Sequence, residues 1–131
     1  MKKYLILFSF LILSQLCYSQ AHVEAYYREY CYYNDSTEKY DDCYGYDELS
    51  TFDISEDWSY WIHTTPKMQS TYYVIDSQYM DEYELTFYYV ESDAGNKYIY
   101  VFDIMKKEIR IFGISKEGEK FILTFLCNKW E

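Results

Sequence analysis

One proline, four glycines and two histidines are all that a chain of 131 residues holds of these types. So little proline and glycine excludes collagen-like and linker-type chains. The histidines, His22 and His63, lie far apart, and no paired Cys-x-x-Cys spacing, Walker A loop or Gly-rich dinucleotide fingerprint occurs. Positive charge is also scarce: 12 Lys and Arg face 22 Asp and Glu, a formal charge of −10. Such a field repels nucleic acid and anionic lipid, so no nucleic-acid partner is expected. Aromatic residues are abundant instead, with 19 Tyr, 8 Phe and 3 Trp, and half of the chain is hydrophobic. A chain of this size and composition can bury enough surface to fold as one domain.

Residues 1–20 read MKKYLILFSFLILSQLCYSQ. Lys2 and Lys3 form a basic start, Tyr4 to Leu16 an apolar run, and Cys17-Tyr18-Ser19 a small-x-small cleavage pattern. These features predict a signal peptide over residues 1–19 and a single secreted β-domain over residues 20–131, in a secreted or periplasmic location. The run is short of the ~20 residues that cross ~30 Å of hydrocarbon, so no stable membrane span is expected after cleavage. Leu16 stands where a lipobox wants a small residue before its cysteine. Loss of Lys2 and Lys3 takes the formal charge from −10 to −12.

Three cysteines then remain, and export favours a disulfide. Cys31 and Cys43 flank a polar stretch, Asn34 to Asp42, that reads as a loop. A bridge there would close about 13 residues and contribute about 3 kcal/mol in the chain-entropy picture. A Cys31–Cys127 bridge would instead tie the first strand to the last. The Cys31–Cys43 pairing is the expectation, because Cys127 continues the apolar alternation of Phe121, Leu123 and Phe125 and reads as a small buried hydrophobe.

Period-two patterning runs through the rest of the chain. Val23, Ala25, Tyr27 and Cys31 form one face of a first strand, and Glu24, Tyr26, Arg28 and Tyr30 the other. Asp41 to Ser50 has room for at most one helical turn, with Gly45 inside it; Phe52 and Ile54 suggest a short strand. Trp58, Tyr60 and Ile62 alternate with Ser59, Trp61 and His63 until Pro66 breaks the pattern. Thr71 to Asp76 is a further strand by its β-branched and aromatic content. Tyr83–Ser92, Tyr98–Ile104, Ile109–Ser115 and Phe121–Cys127 follow as a four-strand meander joined by short turns. The expected fold is all-β: a small antiparallel barrel or sandwich of about seven to nine strands.

The chemistry-bearing residues are sparse. A nucleophilic triad would need His63 as base, with a serine and an acid brought in from elsewhere, and nothing local supplies them. Asp35, Asp41, Asp42, Asp47 and Glu48 crowd one region without EF-hand spacing. Glu56/Asp57 and Asp81/Glu82 are neighbours in sequence, so on a strand they face apart, unlike glycosidase carboxylates. No catalytic residue, cofactor or metal is therefore assigned, and the chain reads as a non-enzyme. Trp58, Trp61 and Tyr98 are candidates for a binding surface, although a regular strand would put the two tryptophans on opposite faces.

Tyr30-Cys31, then Ala94-Gly95-Asn96-Lys97-Tyr98, then Cys127 follow an order that resembles the periplasmic inhibitors of c-type lysozyme. Those are small disulfide-tied β-barrels with an early Cys strand, a Ser-Gly-x-x-Tyr loop and a late Cys. Ala94 stands where the family has the serine that enters the lysozyme site. The resemblance implies a barrel and a cationic hydrolase as partner, which an acidic protein would attract over distance. The leading expectation is a non-enzymatic interaction or structural role. Inhibition of a cationic hydrolase is the alternative and a carbohydrate-binding module the second, so the expected partners are a basic protein or a glycan.

Overall fold

The structure is a computed structural model that describes residues 21–131. The leader expected at residues 1–19 lies outside the described residues. Eight strands follow one another: β1 Ala21–Asn34, β2 Lys39–Ile54, β3 Tyr60–Thr64, β4 Gln69–Met80, β5 Leu85–Ser92, β6 Lys97–Asp103, β7 Glu108–Ile114 and β8 Lys120–Trp130. Each pairs antiparallel with the next, and β1 pairs with β8, so the sheet closes into a barrel. The all-β class and the C-terminal meander are as expected, and closure decides for barrel over sandwich. Gly95 and Gly118 take positive φ (88° and 83°) in the β5–β6 and β7–β8 turns, where a side chain would be strained.

Aromatic and aliphatic side chains fill the lumen: Phe52, Trp61, Tyr100, Ile109 and Phe125 are fully buried and belong to one cluster. Acids such as Glu24, Asp53 and Glu91 alternate with inward-facing residues of their strands. The outer wall also carries exposed apolar side chains, among them Tyr73, Ile75 and Leu126. Among the described residues no helix is long and apolar enough to cross a membrane.

Three sequence expectations need correction. A register shift between Ala25 and Tyr27 inserts an extra residue into β1. Val23 and Ala25 point inward as expected, but beyond the bulge the inward set becomes Arg28 and Tyr30, which line the lumen, while Tyr27 and Cys31 turn outward. The Asn34–Asp42 loop shrinks to a four-residue turn, and the stretch read as a helical turn is part of the 16-residue β2. Its polar residues are tolerated because this half of β2 is largely exposed. Trp58 lies outside β3, in a turn, with φ of 59°. Freed from strand alternation, it packs on Tyr88 and Phe102, the same rings that Trp61 touches.

Cys31 and Cys43 sit opposite each other in the β1–β2 register and form the expected disulfide. In the β1–β8 register Cys31 stands opposite Ile122, and Cys127 opposite Ala25 on the inward face, so Cys127 cannot reach Cys31. Cys127 is a buried free thiol, and burial pushes its pKa up to about 12.

Candidate functional site in the barrel mouth

The turns β1–β2, β3–β4, β5–β6 and β7–β8 gather at one end of the barrel. The two long strands β1 and β2 project there as a hairpin tied by the disulfide. Inside this end lies a cavity of about 270 Å³, with Met68, Ala94 and Asn96 at its rim. Its walls include Arg28 and Tyr30 of β1, His63 of β3, Ser70 and Tyr72 of β4, Tyr98 and Tyr100 of β6, and Phe121 and Leu123 of β8.

His63 is 3% exposed and stacks on Phe52, with ring centroids 4.3 Å apart and planes at 15°. Phe125 meets it edge-on at 5.2 Å. Burial, and then the positive charge of Arg28, push its pKa down to about 3. The imidazole is therefore neutral at physiological pH, and its Nε2 has no protein hydrogen-bond partner.

Arg28 lies over the Tyr46 ring at 4.6 Å, and its Nη2 is 3.1 Å from Glu48 Oε1. Its Nε is buried without a partner. The Tyr100 hydroxyl is fully buried beside the Tyr72 hydroxyl and the Trp61 indole N–H, its nearest hydrogen-bonding neighbours. Burial raises the pKa values of Tyr72 and Tyr100, so both phenols remain protonated donors. Buried polar groups normally find a partner, and each that does not costs about 1–3 kcal/mol. Ser50 Oγ and Trp61 Nε1 in the packed lumen below are buried without a partner as well.

Aromatic surface continues from the cavity onto the hairpin. Tyr30, Tyr32 and Tyr44 present near-parallel rings, Tyr30 and Tyr44 at 5.7 Å and 13°. Tyr44 is 51% exposed.

The predicted surface residues do not come together. Tyr98 lines the mouth cavity. Trp58 lines a separate pocket of about 200 Å³ with Glu84 and Ile104, at the end formed by the other turns. Trp61 is fully buried between them and offers no surface. The two histidines are likewise apart. His22 sits on the wall facing away from the lumen, 2.6 Å from Asp53 Oδ1 and 3.1 Å from Glu24 Oε1, and these hydrogen bonds raise its pKa. No carboxylate or serine hydrogen-bonds His63 among the described residues. Glu29, Cys31 and Cys43 form the one compact group of metal-ligand types there, but both sulfurs are spent in the disulfide.

Sequence reasoning missed Arg28, Tyr72 and Tyr100 as site residues. The bulge that turns Arg28 inward has no local sequence signature. Tyr72 and Tyr100 look like any strand tyrosine until closure places them on one lumen. Comparison of the chain with protein-family models, with curated proteins and with solved structures returned no match.

Proposed function

We propose that this chain is a non-catalytic binding domain of an oxidising, secreted or periplasmic setting, and that it takes a small molecule into the barrel mouth. The observation that carries this reading is the cavity of about 270 Å³ in the barrel mouth, whose lining joins Arg28 and His63 to Tyr30, Tyr72, Tyr98 and Tyr100. Eight-stranded barrels are wide enough either to fill with side chains or to hold one small ligand, and this one does the first below and leaves room for the second above. The disulfide fits the setting.

NMR with a fragment set, ligand-observed for binding and protein-observed for the imidazole of His63, tests the reading. Fragments should bind the protein and perturb the imidazole resonances of His63. Absence of any binder at millimolar fragment would reject it.

A second reading, inhibition of a cationic hydrolase, draws on the acidic net charge and on the Ala94-Gly95-Asn96 turn standing at the cavity rim. Unchanged lysis by a c-type lysozyme at micromolar protein would reject that reading without touching the first.

A further inference from the structure

We infer that the uncovered edge of β2, on the projecting hairpin, takes an extended cationic segment of another protein, which adds to the sheet as a further strand. β3 covers β2 only from Thr51 to Ile54, so from Lys39 to Leu49 β2 has β1 on one side and no strand on the other. Register fixes which backbone groups this edge presents. The Cα atoms of Cys31 and Cys43 are 4.1 Å apart, the short spacing of an antiparallel pair that exchanges no hydrogen bonds. Each residue of such a pair points its N–H and C=O away from the partner strand, and the pattern recurs at every second residue. From Cys43 to Asp47 the ladder with β1 runs without a bulge. Cys43, Gly45 and Asp47 therefore aim their main-chain groups away from β1, at exposed positions and with no backbone partner among the described residues. Tyr44 and Tyr46, in the alternate pairs, bond to β1. A row of this kind is a template for an added strand.

Charge decides the occupant. Lysine and proline are common means of closing an edge to other strands. Tyr40 to Leu49 has neither, and its charged residues are Asp41, Asp42, Asp47 and Glu48. Arg28 answers Glu48, whereas the three aspartates are exposed and form no ion pair among the described residues. A second copy of this chain is a poor occupant. Pairing β2 with β2 would crowd aspartates together, and like charges on facing strands repel. The other stretch that β3 leaves uncovered, Ile75 to Met80 of β4, carries Asp76 and leads into Asp81 and Glu82, so it supplies no cation either. A strand bearing Lys or Arg meets attraction in the same places. Every other side chain of that strand would lie on the face that carries the rings of Tyr44 and Tyr46.

The test uses the purified, disulfide-bonded protein at about pH 7 and three capped peptides. They are Lys-Val-Lys-Val-Lys-Val-Lys, its counterpart with Glu for Lys, and the lysine peptide N-methylated at every residue, which keeps its charge and loses its donors. In fluorescence anisotropy the lysine peptide should bind at least about tenfold more tightly than either control, the range of a few exposed ion pairs or a few main-chain hydrogen bonds. In that complex, amide exchange at Cys43, Gly45 and Asp47 should slow at least about tenfold, with little change at Tyr44 and Tyr46. Asp41→Asn, Asp42→Asn and Asp47→Asn combined should weaken the lysine peptide at least about threefold. Equal binding of the glutamate peptide, or no loss in the triple variant, would overturn the cation. Equal binding of the N-methylated peptide, or protection away from β2, would overturn the added strand. No binding of the lysine peptide at about millimolar concentration would overturn both. Sedimentation showing that the protein alone dimerises, with the same three amides protected, would make the occupant a second copy and overturn the proposal as well. The mouth is not part of this test, so fragment binding there can fail or succeed without changing the outcome.

Discussion

Replacing His63 with phenylalanine should flatten the acid side of this protein's stability curve. In the folded chain the imidazole is held near a pKa of about 3, against 6.5 for the free side chain. Above about pH 6.5 it is neutral in both states and contributes no pH dependence. As pH falls through the window between these values, the unfolded chain takes up a proton that the folded chain refuses, so stability falls. At about pH 5 the solution is about 1.5 pH units below the unfolded value. At about 1.36 kcal/mol per unit, His63 then costs about 2 kcal/mol relative to about pH 8. A phenyl ring can keep the stack on Phe52 and the edge contact with Phe125 and has no proton to bind. The assay is urea unfolding followed by tryptophan fluorescence, on wild type and His63→Phe, at about pH 8 and about pH 5. The wild type should lose about 2 kcal/mol more than the variant between the two conditions. His22 and the carboxylates titrate in both proteins and cancel in the difference. Equal losses in the two proteins would refute the claim that His63 is buried neutral. At about pH 8 the variant should be no less stable than wild type, because a buried nitrogen without a partner has been removed.

Converting Cys31 and Cys43 together to serine should lower stability by about 3 kcal/mol, given their separation of 12 in sequence, and guanidinium midpoints would register it. Asp103→Ala should cost about 3 kcal/mol in the same assay. The Asp103 carboxylate accepts from Arg110 Nη2 at 2.8 Å and from the Lys106 N–H at 3.1 Å, and its loss leaves a half-buried guanidinium without that counter-charge. Gly113→Ala would drive a methyl against the rings of Phe121 and Tyr98, within 3 Å of both. It should destabilise by about 1–3 kcal/mol and also shift the two rings that border the cavity, weakening fragment binding in the NMR assay.

The meander was legible because its turns advertise themselves: Gly95 and Gly118 sit where the backbone needs positive φ, between runs of Tyr, Phe, Ile and Val. The Cys31–Cys43 bridge was legible from two cysteines flanking a polar stretch, with Cys127 set apart by the apolar alternation around it. β2 was not, since much of it lies on a projecting hairpin and lacks the buried face that creates apolar alternation; Asp41, Asp42 and Gly45 look like loop residues and are strand residues. Barrel and sandwich share the same period of two, so closure by β1 on β8, a pairing between the two ends of the chain, left no trace in any local window. The site was hidden for a related reason. His63 was visible as a strand histidine, but its companion Arg28 was read with Glu24 on the opposite face from Val23, and one extra residue after Ala25 reverses that assignment.

The exchange of backbone hydrogen bonds between His22 and Glu131, at 2.9 and 2.8 Å, has a practical corollary. The first and last described residues leave the barrel side by side, at the end remote from the disulfide-tied hairpin. An affinity tag, a fluorescent fusion or a biotin placed at the C-terminus therefore projects away from the tyrosines, and a sensor chip loaded through it would hold every molecule with its opening toward the flowing solution. A peptide linker joining the two positions, with new ends cut in the Lys116–Glu119 turn, would give a rearranged gene whose product closes the same cylinder.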